Sequence, residues 1–108
     1  ASFYDGGIAT SICEGQNQDA QVINAQVADE LLNIKGIKAS FVAGVNDKGT
    51  TCISARSLGD INVQVLLEKI GGGGHLNTAG AQVKEKPEEV LEIVLGLLEK
   101  GEKNESNT

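Results

Sequence analysis

Apolar positions recur along the chain with two different periods. Ile23, Val27, Leu31 and Ile34 keep the spacing of one helical face, which predicts a helix over 18–35, opened near Asn17 and stopped by Gly36. Before it, the run from Ile8 to Cys13 reads as a short strand. After it, Ile37, Ala39, Phe41, Ala43 and Val45 alternate with Lys38, Ser40 and Val42, which is strand periodicity. Asn46-Asp47-Lys48-Gly49 is a hairpin turn, and the chain returns as a strand over 50–56. In that strand Cys52, Ser54 and Arg56 share one face and Thr51, Ile53 and Ala55 the other, so Arg56 ends the strand pointing away from the core side.

The periodicity then returns to helix. Asp60 is placed to cap a short helix over 61–70, with Val63, Leu66, Leu67 and Ile70 on one face and Gly71 at its end. A glycine run follows, then a weakly alternating strand over 79–84. Pro87, Glu88 and Glu89 open a last helix with a stripe of Leu91, Val94, Leu95 and Leu98. This order predicts an α/β fold: one compact domain over 1–100 in which a mixed β-sheet is covered by helices, with a polar, frayed tail over 101–108.

Composition narrows what such a domain can do. At 108 residues there is room for one core. A formal charge of −6 opposes the basic footprint of a protein that coats duplex nucleic acid, while leaving room for one locally positive pocket. The aromatic residues are Phe3, Tyr4 and Phe41, a thin supply for base stacking. Cys13 and Cys52 lie far apart and His75 stands alone among histidines, so no zinc site assembles and the thiols read as reduced and buried. With no signal pattern and no stretch long enough to span a bilayer, the segment reads as soluble, cytoplasmic and without direct membrane contact. The start at Ala1 and the absence of methionine fit a processed initiator or a piece of a longer protein equally well.

Two places carry chemistry. Gly71-Gly72-Gly73-Gly74-His75 concentrates conformational freedom that a small domain keeps only for positive φ or close backbone approach, and its N–H groups suit an anion, with His75 at the lip. It is neither a Walker loop, lacking GxxxxGK[ST], nor a Rossmann fingerprint, since it follows a helix. The second place is Ser54-Ala55-Arg56-Ser57 with Asp60 and Asn62 at the next helix start: a guanidinium fork, two hydroxyls and helix N–H groups, all suited to phosphate. Arg56 has a plainer reading as the surface partner of Asp60 or Glu68, and Asp19, Asp29 and Glu30 read as solvated helix faces. No complete catalytic set can be assembled, so binding outranks catalysis.

These residues also resemble a known family. Ser54-Ala55-Arg56-Ser57-Leu58-Gly59-Asp60-Ile61-Asn62-Val63-Gln64 followed by Gly71 to His75 is similar to the signature of the DHH-associated domain, the carboxy-terminal half of DHH-family phosphoesterases. The likeness is densest to the cyclic-di-AMP phosphodiesterases of the GdpP (YybT) type. It implies an upstream DHH domain that holds two manganese ions and a hydrolytic water, with this domain as the opposite wall of the cleft, and it allows a homodimer and a membrane-anchored parent with this segment on the cytoplasmic side. By the resemblance, Ser54, Arg56 and Ser57 would hold substrate phosphate and Gly72, Gly73 and Gly74 would bring N–H groups to it. His75 would donate to a phosphate oxygen, and Asn62 and Asn77 would orient loop or substrate. The substrate would be cyclic di-AMP, hydrolysed to linear pApA. The alternative is a nucleic-acid-binding module of a RecJ-like, nanoRNase-like or synthetase-editing type. The chain departs from the family in lacking a DHH triad and in carrying Asn77-Thr78-Ala79-Gly80 where a pair of alanines is usual.

Overall fold

The computed structural model describes residues 1–59 and 61–106, with side chains through 101. Six strands form one mixed sheet: β1 (Ser2–Tyr4), β2 (Ile8–Gln16), β3 (Ala39–Val45), β4 (Thr51–Ser57), β5 (Gly73–His75) and β6 (Thr78–Val83). Helix α1 (Ala20–Leu32) lies between β2 and β3, α2 (Val63–Glu68) between β4 and β5, and α3 (Pro87–Ser106) follows β6. The strand order is β1-β2-β3-β4-β6-β5. Only β2 and β3 run parallel, as the crossover through α1 requires; the other neighbours are antiparallel.

The α/β fold with a mixed sheet under helices is the one the periodicity predicts, and both faces of the sheet are covered. On one face Phe41, Ile53, Ala55, Ala79 and Ala81 pack with Val63, Leu66 and Leu67 of α2 and Val90, Leu91 and Val94 of α3. On the other, Ala9 and Val42 pack with Ala28 and Leu31 of α1 and with Ile37. Strand β3 is therefore buried on both sides, which is why its intervening Ser40 is also inaccessible; its hydroxyl donates to the Ala28 carbonyl at 2.7 Å and docks α1.

Four expectations shift. Helix α1 buries Ala20, Asn24, Ala28 and Leu31, while Ile34 is exposed and Ile23 and Val27 are half-buried. Small residues let a helix lie close on a sheet, so the larger apolar side chains end up on its flank. At its start, Asn17 accepts from the Asp19 N–H at 3.0 Å and makes a turn ahead of the helix. Helix α2 is capped by Asn62, whose side-chain oxygen accepts from the Val65 N–H at 3.2 Å; Asp60, expected in that role, lies outside the described residues. The end of the glycine run, read as loop, is the edge strand β5, and β1 is a strand the periodicity did not show.

Cys13 and Cys52 pair with Gly44 from opposite sides, so their backbones stand two strand spacings apart, roughly 10 Å, beyond disulfide reach. Burial pushes both thiols above their ordinary 9.0, with an Asn46 hydrogen bond partly opposing this at Cys52. The folded thiols hold their protons more tightly than the unfolded ones, so stability is unaffected below that pH and declines as the pH rises past it. Iodoacetamide should modify the native chain many-fold more slowly than the urea-unfolded chain at both positions. Equal rates would mean that the thiols are not shielded.

Candidate functional site

Register places most of the chemistry on the α1 side of the sheet. Ala79 and Ala81 point into the opposite core, so Thr78 and Gly80 of β6 face the α1 side. Gly80 stands between Ser54 of β4 and Gly73 of β5, and Thr78 stands between Arg56 and His75. Two adjacent rows result: Ser54, Gly80, Gly73, and next to it Arg56, Thr78, His75. Within the second row the backbones of Arg56 and His75 are roughly 10 Å apart, two inter-strand spacings. Helix α1 packs over β2, β3 and β4, so its Gln21 and Ala25 form a wall while β6 and β5 form a floor. The groove between them encloses about 250 Å³ and is also lined by Ser54, Arg56, Gly73, Gly74, His75, Thr78, Ala79 and Gly80.

The floor has an unusual construction. Where Gly73 and Gly80 pair, neither strand projects a side chain into the groove. A Cβ added at Gly73 would meet nothing within 4 Å, and its φ lies outside the left-handed region, so neither packing nor backbone demands glycine there. Its neighbours differ. Gly71, at φ 89°, closes α2 by donating to Glu68 O, and Gly72 N donates to Leu67 O at 2.8 Å, the bond pair of a Schellman motif. A Cβ on Gly72 would lie 2.3 Å from Gly80 O, and one on Gly74 2.4 Å from Thr78 O. The four glycines thus do three jobs: ending a helix, closing on β6, and leaving open space over the groove.

Arg56 is largely buried, with 16% of its side chain exposed. Its Nε donates to Asp29 Oδ1 at 2.9 Å and its Nη1 to the Ala55 carbonyl at 2.9 Å. These bonds fix the guanidinium while leaving its Nη2 edge without a partner among the described residues. Arg56 bonds Asp29 of α1, so Asp29 is not the merely solvated residue expected; no ion pair joins Arg56 to Glu68, and Asp60, the other expected partner, lies outside the described residues. Because Asp29 is 63% exposed, the pair contributes orientation more than stability. Ser54 is 1% exposed; its hydroxyl accepts from Gln21 Nε2 at 3.0 Å and faces the Gln21 carbonyl at 3.4 Å.

Four of the residues expected at the site stand elsewhere: Gly72, whose N–H is taken by the Leu67 carbonyl, and Ser57, Asn62 and Asn77. Ser57 is buried, donates to Ile61 O at 2.6 Å and accepts from Asn77 Nδ2 at 2.9 Å. Asn77 also reaches Gly59 O at 3.3 Å, so the two side chains buckle the segment after β4 to the β5–β6 turn. Asn62 occupies the amino end of α2 with its own side chain, which leaves that terminus little capacity for an anion. The groove therefore gathers Ser54, Arg56, Gly73, Gly74 and His75, and adds Gln21, Ala25, Thr78, Ala79 and Gly80, to which the sequence assigned no role at the site. Thr78 and Gly80 could have been found by pairing β4 with β6 in register; Gln21 carries no local signal.

The donor set does not fit a divalent cation. Among the described residues that line it the groove offers one imidazole and a guanidinium and no carboxylate, and Asp29, beside it, is held by that guanidinium. Among the described residues no three His, Cys, Asp or Glu side chains converge, and no helix is long and apolar enough to cross a membrane.

Known proteins with similar sequence bear on this arrangement. Over 85 residues the chain is 48% identical to the cyclic-di-AMP phosphodiesterase GdpP of Geobacillus thermodenitrificans, covering 79% of this chain and 13% of that protein. It is 46% identical over 83 residues to the cyclic-di-AMP phosphodiesterase PdeA of Listeria monocytogenes, covering 77% of this chain and again 13% of the relative. The chain thus spans 13% of the length of these curated relatives. A crystal structure of an exopolyphosphatase-related protein from Bacteroides fragilis superposes with a TM-score of 0.62 at 31% identity, over 68% of this chain and 22% of that one. The DHHA1 domain family matches residues 5–100, which covers strands β2 to β6, α1, α2 and both rows of the groove. This chain belongs to the DHHA1 domain family, found in DHH-family phosphoesterases.

Proposed function

We propose that this domain is the substrate-binding wall of a DHH-family phosphodiesterase acting on cyclic di-AMP or its linear product pApA. The observation that carries the reading is the paired rows on β4, β6 and β5. They set a fixed guanidinium and an exposed imidazole on either side of Thr78, beside a floor without side chains. A phosphodiester lying across that row meets the Nη2 edge of Arg56 on one flank and His75 on the other. Gly73 lets the ligand approach the β5 backbone as no larger residue would. The two relatives named as cyclic-di-AMP phosphodiesterases support this choice of substrate. In this reading the manganese ions and the attacking water belong to a DHH domain outside these residues; the role of this chain is to bind and orient the phosphodiester.

A single-strand nucleic-acid platform fits less well. The groove contains no Phe, Tyr or Trp side chain: Phe41 is buried in the far core, and Phe3 and Tyr4 sit on β1, at the opposite edge of the sheet from β5. Calorimetry with pApA and cyclic di-AMP tests the proposal. Arg56→Ala should weaken binding by about tenfold to a hundredfold, as loss of a charge-assisted hydrogen bond does. His75→Ala should weaken it by several-fold, with circular dichroism confirming that both variants fold. Unchanged affinity in both variants would reject the assignment.

A further inference from the structure

The row next to the phosphate row contains a second recognition element. On the α1 wall, Gln21 lays its amide over Gly80: Nε2 is 3.0 Å from Ser54 Oγ and 3.4 Å from the Ile53 carbonyl. A backbone carbonyl can only accept, so the amide is oriented with both Nε2 hydrogens toward β4. Its Oε1 is left as an acceptor at the groove. Gly80 makes this possible, because a Cβ there would stand 2.9 Å from Gln21 Nε2.

We propose that Gln21 is a specificity-determining residue that reads the base of the bound nucleotide by accepting from an exocyclic amine. This rests on the phosphate assignment above. The Ser54-Gly80-Gly73 row lies two residues along the strands from the Arg56-Thr78-His75 row, about 7 Å, which is within the span between the phosphate and the base of one nucleotide. The side-chain-free floor at Gly73 and Gly80 leaves a flat base room beside the amide. Since both amide hydrogens are engaged, Gln21 offers an acceptor and no donor. It therefore favours adenine, whose edge carries an amine, over hypoxanthine, which has a carbonyl at that position. Ser54 acts through Gln21 as a positioning residue: it is buried, and its hydroxyl faces that residue.

Calorimetry with two synthetic ligands, pApA and its inosine analogue pIpI, separates this from the phosphate reading. The wild-type chain should prefer pApA by about tenfold. Gln21→Ala should reduce that preference to within about twofold, chiefly by weakening pApA and not by strengthening pIpI. Ser54→Ala should do the same to a lesser extent. If the wild type binds both ligands equally, or if Gln21→Ala retains the preference, the inference is wrong and the phosphate reading stands. If neither ligand binds, the phosphate reading fails and takes this one with it.

Discussion

Gly72→Ala should destabilise the fold by about 3 kcal/mol or more, although it adds a single methyl group to a half-exposed position. The new Cβ would fall 2.3 Å from the Gly80 carbonyl oxygen and 2.5 Å from Ala81 Cβ. Both belong to β6, which is tied to β4 along its length, so neither can yield as the end of a flexible side chain would. The clash would also pull on the Gly72 N–H to Leu67 carbonyl bond that closes α2, and so on the buried Leu66 and Leu67. Urea unfolding with matched m-values measures the loss. A change below about 0.5 kcal/mol would show that β5 is not packed on β6 in this way.

The informative comparison is Gly73→Ala. Nothing stands within 4 Å of a Cβ there, and its φ is outside the left-handed region, so the fold should be unaffected or slightly stabilised through the unfolded state. The methyl group would instead project into the groove and weaken pApA binding. Adjacent glycines would thus separate cleanly, one reporting on the fold and the other on the ligand.

How far the sequence led differs from element to element. The stripes of α2 and α3 and the turn at 46–49 were legible because their signals are local. Val63, Leu66 and Leu67, and likewise Leu91 and Val94, are large residues at helical spacing, and Asn46 closes its own turn by accepting from Lys48 and Thr50 N–H groups. Helix α1 misled because the residues it buries are mostly small. A hydrophobicity pattern weights Ile23 and Val27 above Ala20, Asn24 and Ala28, whereas close approach to a sheet selects for size. Strand β5 was hidden by glycine, which has little intrinsic strand preference and pairs here because β6 imposes the register. At the site, Arg56, His75 and the glycine run were visible as residue types. Their common neighbours Gln21 and Asp29 were not, because each contact joins α1 to β4 across about thirty residues of chain, a separation no local pattern encodes.

The second large effect is expected from Phe41→Ala, which should cost about 3 to 5 kcal/mol, a substantial part of the stability of a domain this size. Phe41 is fully buried on the α2 and α3 face of the central strand β3, in contact with the core that unites both helices with the sheet. The next residue, Val42, is equally buried but faces α1; Val42→Ala should cost about 2 kcal/mol, since it removes less volume. The difference reflects how the sheet divides its duties. Large apolar side chains gather on the face away from the groove, while the groove is framed by Ala25, Gly73 and Gly80, with polar groups held by neighbours. A site framed by small residues contributes little apolar burial and depends on the opposite layer to keep its rows in register. Phe41→Ala, examined at a temperature where it remains folded, should therefore bind pApA within about twofold of wild type despite its lowered melting point. Loss of binding in a variant still folded by circular dichroism would show that the far core sets the geometry of the groove as well as its stability.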